Sequence, residues 1–165
     1  MKTRSTSAAD APLHTLESQL CFALYSVTNA VGRNYAPMLE ALGLTYSQYL
    51  AMLVLWEQED LSVGEIGRRL FLDSGTLTPL LKRLEGAGYV ERRRNPADER
   101  QVRICLTARG SALREQARCL PNEIACAMGR TGEEIAALRD DLLRLRSSLM
   151  AALDGHPSDG AGTAS

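Results

Sequence analysis

Four cysteines, Cys21, Cys105, Cys119 and Cys126, and a set of phenols, Tyr25, Tyr35, Tyr46 and Tyr49, are the residues of this chain that could do covalent chemistry. A thiolate attacks a peroxide oxygen and a neutral thiol does not. A phenol O–H that donates to the sulfur favours the charged form. Tyr25 lies one helical turn beyond Cys21, and Tyr35, Tyr46 and Tyr49 stand near the turn that follows. The plainer reading of Cys21 is a core cysteine beside Leu20 and Leu24. That of the tyrosines, Tyr49 above all, is amphipathic packing with the hydroxyl at the surface. On the residues alone both readings stand. Zinc ligation uses close pairs such as Cys-x2-Cys, which are missing, so neither a metal nor another cofactor is expected. Cys105, in a strand pattern, is most simply a small buried residue. Cys119 and Cys126 would share a face of one unbroken helix, but with ~10 Å of axial rise between them. That exceeds the ~7 Å limit on Cα spacing in a disulfide, so a partner for either lies elsewhere.

The arginines point to a second chemistry. The whole chain has a formal net charge of -1, yet residues 68–109 hold ten basic and five acidic side chains between two acidic arms. A basic middle in a neutral protein is the footprint of a nucleic-acid site, or else a solvated basic face. The local pattern decides for the first. LSVGEIGRRL reads as a short capped helix, and FLDSGTLTPLLKRLEGAGYV as a longer helix ended by glycine. ERRRNPADERQVRICLTARG reads as a hairpin with arginines in both strands and an Asn-Pro-Ala-Asp turn. A helix can enter the major groove and an arginine-tipped hairpin the neighbouring minor groove. No hydrolase, kinase or dinucleotide motif competes. A thiol peroxidase would need a catalytic base or a redox motif, and neither is seen, so the chain does not read as an enzyme.

The elements that must position these groups follow from periodicity and caps. Leu16, Leu20, Ala23 and Val27 make an apolar stripe on a helix expected from Leu13 to about Asn34, broken by Pro37 and Gly43. Thr45 with Gln48, and Ser62 with Glu65, are capping-box patterns that open two further helices. In the recognition helix Leu77, Leu80, Leu81 and Leu84 can face a core, leaving Ser74, Gly75, Thr76, Thr78, Pro79 and Lys82 outside. Pro79 is tolerated only in a first turn, so either Thr76 caps this helix or the helix starts near Ser74 with local strain. Thr107 caps the helix after the hairpin, Pro121 interrupts it, Gly129 ends it, and Thr131 with Glu134 starts a last helix striped by Ile135, Leu138, Leu142, Leu145 and Leu149. One winged helix cannot cover these outer helices, so a two-fold dimer on a pseudo-palindromic site is expected.

The expected fold is therefore mainly α with a small β-hairpin wing, a winged helix–turn–helix flanked by N- and C-terminal dimerisation helices. Residues 1–12 are read as a flexible N-terminus, 13–44 as the first dimerisation helix and turn, and 45–106 as the DNA-binding domain. Residues 107–153 are read as C-terminal dimerisation helices and 154–165 as a disordered tail. With no apolar run of ~20 residues and no apolar region behind the N-terminal basic residues, neither a membrane span nor a secretory signal is read, and a cytoplasmic location is expected.

Over residues 13–153 the chain resembles the MarR (multiple antibiotic resistance regulator) family. Leu72-Asp73-Ser74, DSGTLTPLLKRLEGAGYVERRRNPADERQVRICLTARG and the helical arms carry the likeness. Cys21, Tyr35, Tyr46 and DSGTLTPLL make it most similar to the organic hydroperoxide resistance regulators. The resemblance implies a repressor that senses organic hydroperoxides at Cys21, with Tyr35 and Tyr46, placed after the helix, binding this cysteine across the dimer. It implies a resolving cysteine after the wing at Cys126, with Cys119 as the fallback, and an intersubunit disulfide that releases DNA. For DNA it implies contacts by Ser74, Gly75, Thr76, Thr78 and Pro79. It also implies phosphate contacts by Lys82, Arg83 and Arg94, and minor-groove entry by Arg100 with Asp98 holding its guanidinium. The family also contains repressors released by a small phenolic or aromatic ligand without thiol chemistry, and that is the alternative reading.

Overall fold

The computed structural model describes the backbone of residues 15–95 and 98–154, and their side chains except at 95–100. A 3-10 turn at Leu16–Ser18 leads into α1 (Leu20–Glu40), α2 (Tyr46–Glu57), β1 (Leu61–Ser62), α3 (Val63–Leu70) and α4 (Ser74–Gly86). The hairpin strands β2 (Val90–Asn95) and β3 (Asp98–Leu106) follow, then α5 (Ala108–Gln116), α6 (Leu120–Ala127) and α7 (Gly132–Asp154). This is the expected winged helix, mostly helical with one small antiparallel sheet. The chain divides after Ile124 into two compact units.

In the first unit the caps form where sequence placed them. Gln48 Oε1 accepts from the Thr45 N–H at 2.8 Å and Glu65 Oε2 from the Ser62 N–H at 2.7 Å, while the hydroxyl of each N-cap residue accepts in return. The Thr107 hydroxyl accepts from the Gly110 N–H at 3.0 Å. Gly88, at φ +74°, closes α4: its N–H reaches Glu85 O and the Tyr89 N–H reaches Leu84 O, the pairing of a Schellman cap.

Both ends of α1 differ from the sequence reading. α1 begins at Leu20, so Leu16 of the expected stripe sits in the preceding 3-10 turn. At its other end α1 does not stop near Asn34 but runs through Pro37 to Glu40. The proline forfeits one backbone bond, yet Tyr35 and Leu39 on either side of it are buried, and their packing holds the helix together. Tyr35 therefore lies inside α1 and not after it. Of the two starts the sequence allows for α4, the one near Ser74 is found, with Asp73 as the cap: Asp73 Oδ1 accepts from the Thr76 N–H at 2.9 Å. Pro79 is consequently interior, carried by buried Leu77, Leu80, Leu81 and Leu84. The two-residue β1 was too short to read; it pairs Leu61 with Ile104 and makes the hairpin a three-stranded sheet of order β1-β3-β2. As expected at Pro121, the helix after the wing is interrupted, so Cys119 and Cys126 do not share an unbroken helix.

The core joins α1, α2, α3, α4 and the sheet through Leu39, Tyr49, Met52, Leu55, Ile66 and Ile104. Trp56 Nε1 donates to Gly110 O at 2.9 Å, fastening α2 to α5. A Cβ on Gly110 would stand 2.0 Å from Tyr89 O and 2.9 Å from its carbonyl carbon. Neither atom can yield, because the Tyr89 carbonyl also accepts from the Thr107 N–H at 3.1 Å. Gly110→Ala is therefore expected to cost at least about 3 kcal/mol and to lower Tm by roughly 10 °C, read by thermal unfolding at fixed concentration. An unchanged Tm would show that α5 can move away from the wing root.

In the second unit Gly129 (φ +61°) precedes the Thr131–Glu134 capping box, and α7 buries no residue within the chain. Leu138, Leu142, Leu149 and Leu153 are exposed along it. In the first unit Leu20 and Val27 of α1 are exposed as well. Among the described residues no helix is long and apolar enough to cross a membrane.

Candidate DNA interface and thiol site

The outer face of α4 is built from small and hydroxylic residues. Ser74, Gly75, Thr76 and Pro79 are exposed, Thr78 is half-buried, and Lys82 and Arg83 are exposed one turn on. Both threonine hydroxyls already donate inward: Thr76 Oγ1 to Asp73 Oδ2 at 2.8 Å and Thr78 Oγ1 to Ser74 O at 2.7 Å. What they leave for a partner is methyl groups and acceptor lone pairs, a surface that suits thymine methyls and base amino groups. The backbone and side-chain bonds from Thr76 hold the Asp73 carboxyl below its usual range, so the cap is ionised at neutral pH.

In the wing the three consecutive arginines have different fates. Arg92 lies against Glu85 at the end of α4, with Nε 3.1 Å from Oε2. That approach is not angled as a hydrogen bond, so buried Nε and Nη2 of Arg92 have no hydrogen-bond partner among the described residues. Arg93 pairs with Glu91 on its own strand. Arg94 is exposed and has no acidic partner among the described residues, which leaves it the freest of the three for a phosphate. The side chains of Asp98 and Arg100 lie outside the described residues.

Sequence reading missed a cluster at the root of the wing. Arg103 Nε stands 3.0 Å from Asp60 Oδ1, its Nη2 donates to Asp60 O, and its Nη1 is 3.6 Å from Glu65 Oε2. The Arg103 hydrogen bond holds the Asp60 carboxyl below its usual range, and the Ser62 bonds do the same for Glu65. Asp60 adopts φ +57°, which a non-glycine residue seldom does, and this turn and the 43-residue separation from Arg103 leave no periodic signal.

Of the thiols, Cys105 is buried and its Sγ lies 3.4 Å from Asp60 Oδ1; burial, then that carboxylate, pushes the thiol up. Cys119, in the turn before α6, is exposed, and Glu123 beside it raises its pKa. Cys126, at the end of α6, is exposed. Cys21 is exposed near the start of α1, so within one chain it is not a core residue.

The phenols do cluster. The Tyr35 and Tyr46 rings lie 4.9 Å apart and the Tyr35 and Tyr49 rings 5.6 Å apart, with Tyr49 edge-on to Trp56 at 6.2 Å. Tyr49 is fully in the core, contrary to the surface placement expected for its hydroxyl. Burial, then the neighbouring phenols Tyr49 and Tyr46, pushes the Tyr35 pKa up to about 12, and burial raises Tyr46 and Tyr49 too. All three are therefore hydrogen-bond donors at neutral pH. Tyr25 is exposed. Fourteen residues of one helix separate Cys21 from Tyr35, about 21 Å of rise, so a single chain does not bring the thiol to the phenols.

The family model for the transcriptional regulator SarA/Rot matches residues 33–116, which spans α2, the helix–turn–helix and the wing. The chain belongs to this family of MarR-type transcriptional regulators. It is 53% identical over 147 residues to the HTH-type transcriptional regulator TtmR of Methylorubrum extorquens, covering 89% of this chain and 75% of that protein. It is 46% identical over 134 residues to the organic hydroperoxide resistance transcriptional regulator of Bacillus subtilis, covering 81% and 91%. Among solved structures, AbfR of Staphylococcus epidermidis superposes with a TM-score of 0.68 at 40% identity, covering 82% of this chain and 94% of that one. AbfR has also been solved reduced and bound to DNA (TM-score 0.67, 38% identity, 82% and 94% covered) and overoxidised and bound to DNA (0.66, 38%, 81% and 94%). A disulfide-formed state superposes at 0.56, with 37% identity and 84% and 92% covered. This MarR-type regulator thus presents an arginine-bearing wing, an open recognition face and an exposed thiol near the start of α1.

Proposed function

We propose that this regulator is a homodimeric repressor that binds a pseudo-palindromic operator when reduced and senses organic hydroperoxides at Cys21. The observation that carries the reading is the separation of the exposed Cys21 from Tyr35, buried further along the same helix against the half-buried Tyr46 of α2. A second subunit laid against α1 supplies the phenols that one chain holds ~21 Å away. It also covers Leu20, Val27 and the exposed stripe of α7. Dimers of this obligate kind bury more than ~2,000 Å² in total. The likeness to the organic hydroperoxide resistance regulator of Bacillus subtilis and to disulfide-formed AbfR supports the redox part of this reading.

The chemistry balances with the hydroperoxide as oxidant. The Cys21 thiolate attacks the outer peroxide oxygen, the O–O bond breaks, and the alkoxide takes a proton and leaves as the alcohol. Cys21 becomes a sulfenic acid. The thiolate of Cys126 from the other subunit then attacks that sulfur, the S–O bond breaks, and hydroxide leaves as the disulfide forms, taking the proton that Cys126 gave up on ionising to become water. The disulfide, not the oxygen adduct, is the releasing step, because only the S–S bond ties two backbones at ~2 Å between sulfurs and shifts the spacing of the recognition helices. AbfR overoxidised and still on DNA supports that order.

Reduced protein is expected to scatter light as a dimer at micromolar concentration. After stoichiometric cumene hydroperoxide it is expected to run at dimer mass on a non-reducing gel and at monomer mass once dithiothreitol is added. A reduced monomer, or DNA release by hydroperoxide without a covalent dimer, would overturn the proposal.

A further inference from the structure

We infer that Arg103 is a positioning residue for DNA binding, one that fixes the wing against the helix–turn–helix by joining β3 to both the β1 turn and the cap of α3. The inference rests on the DNA-binding reading above. Arg103 lies in the central strand of the sheet, with Ser62 opposite it on one side and Arg93 on the other. Two arginines directly opposed across strands repel, so the site exists against a local cost. Each is neutralised separately, Arg93 by Glu91 and Arg103 by Asp60 and Glu65. The side chain of Arg103 is only 25% exposed, and its guanidinium meets three oxygens, two from Asp60 and one from Glu65.

Those partners are themselves fixed. Glu65 Oε2 also accepts from the Ser62 N–H at 2.7 Å, so Arg103 is tied to the residue that caps α3. Asp60 is held at φ +57° directly before β1. A bidentate guanidinium can hold this geometry, whereas a lysine point charge could not meet all three oxygens. Asp60 and Arg103 also line a cleft of about 680 Å³ together with Arg93 and Arg94.

The consequence is mechanical. From Arg103 to the start of β3 at Asp98 the hairpin extends about 17 Å. A rotation of about 10° at the root would move the tip by about 3 Å, more than a hydrogen bond between a wing arginine and a groove can absorb. Arg103 thus acts on DNA through the placement of Arg94 and Arg100, without touching the duplex.

A double-mutant cycle tests this on a duplex that the reduced parent selects from a random pool. Arg103→Met is expected to weaken binding about 10-fold, and Arg100→Ala by roughly 5- to 150-fold. The double variant should be weakened by clearly less than the product of the two single factors, because a misplaced tip has no Arg100 contact left to lose. Asp60→Asn keeps the side-chain oxygen without its charge and serves the same cycle if Arg103→Met does not fold. Unchanged affinity in the folded single variant, or a double variant weakened by the product of the two single factors, would overturn the inference while leaving DNA binding intact. A parent that selects no duplex would overturn the DNA-binding reading itself, and this inference with it.

Discussion

Cys21→Ser is expected to bind the selected duplex as the parent does and to ignore cumene hydroperoxide. The parent, by contrast, should lose roughly 5- to 150-fold in affinity on oxidation, the usual span of coupling between two sites on a regulator. Serine replaces one chalcogen with another of similar shape at an exposed position of α1, so the fold has no reason to change. It cannot carry the chemistry, because an alcohol neither ionises near neutral pH nor attacks a peroxide oxygen. The other three cysteines should not substitute for it. Cys105 is buried and raised by burial, Cys119 is raised by Glu123, and Cys126 is the thiol proposed to close the disulfide, a step that needs Cys21 oxidised first. Fluorescence anisotropy with and without hydroperoxide reads the result. Should Cys21→Ser still leave DNA when hydroperoxide is added, Cys21 is a packing residue of the dimer. A repressor released by a small phenolic or aromatic ligand would then be the better account.

Local signals in the sequence carried most of the fold. Capping boxes at Thr45, Ser62 and Thr131 act over three residues, and the glycine at 88 acts through its own φ, so each is written where it works. The inner side of α4 was legible for the same reason: its four leucines are buried at helical spacing, and the residues between them stay outside. What failed was any feature decided by tertiary packing. Pro37 reads as a break, but burial of Tyr35 and Leu39 outweighs one lost backbone bond. Pro79 leaves the start of α4 open between Thr76 and Ser74, and only the Asp73 cap and the buried leucines decide for Ser74. Tyr49 reads as half-exposed and is in the core because Tyr35 and Trp56 close over it. The Asp60–Arg103–Glu65 cluster joins residues with no common period and was invisible before the sheet was known. The proposed pairing of Cys21 with Tyr35 and Tyr46 would join two chains, and no intrachain pattern encodes such a contact.

Cys126→Ser is expected to separate sensing from release. Cys21 in this variant should react with hydroperoxide as fast as in the parent, since the first step uses only the Cys21 thiolate and the peroxide. The sulfenic acid then finds no thiol to condense with and takes up a second equivalent of oxidant, giving a sulfinic acid and a gain of about 32 Da by intact mass. No covalent dimer should form, and dithiothreitol should not restore the thiol. Because an oxygen adduct does not tie two backbones together, the oxidised variant should remain on DNA at close to its reduced affinity. Each departure is informative. A covalent dimer in Cys126→Ser would make Cys119 the resolving cysteine, in spite of the Glu123 carboxylate that disfavours its thiolate. Release of DNA by the uncrosslinked, oxidised variant would place the switch at the Cys21 adduct itself. In that case the charge of the sulfinate beside the buried phenols, rather than the disulfide, would drive the recognition helices apart.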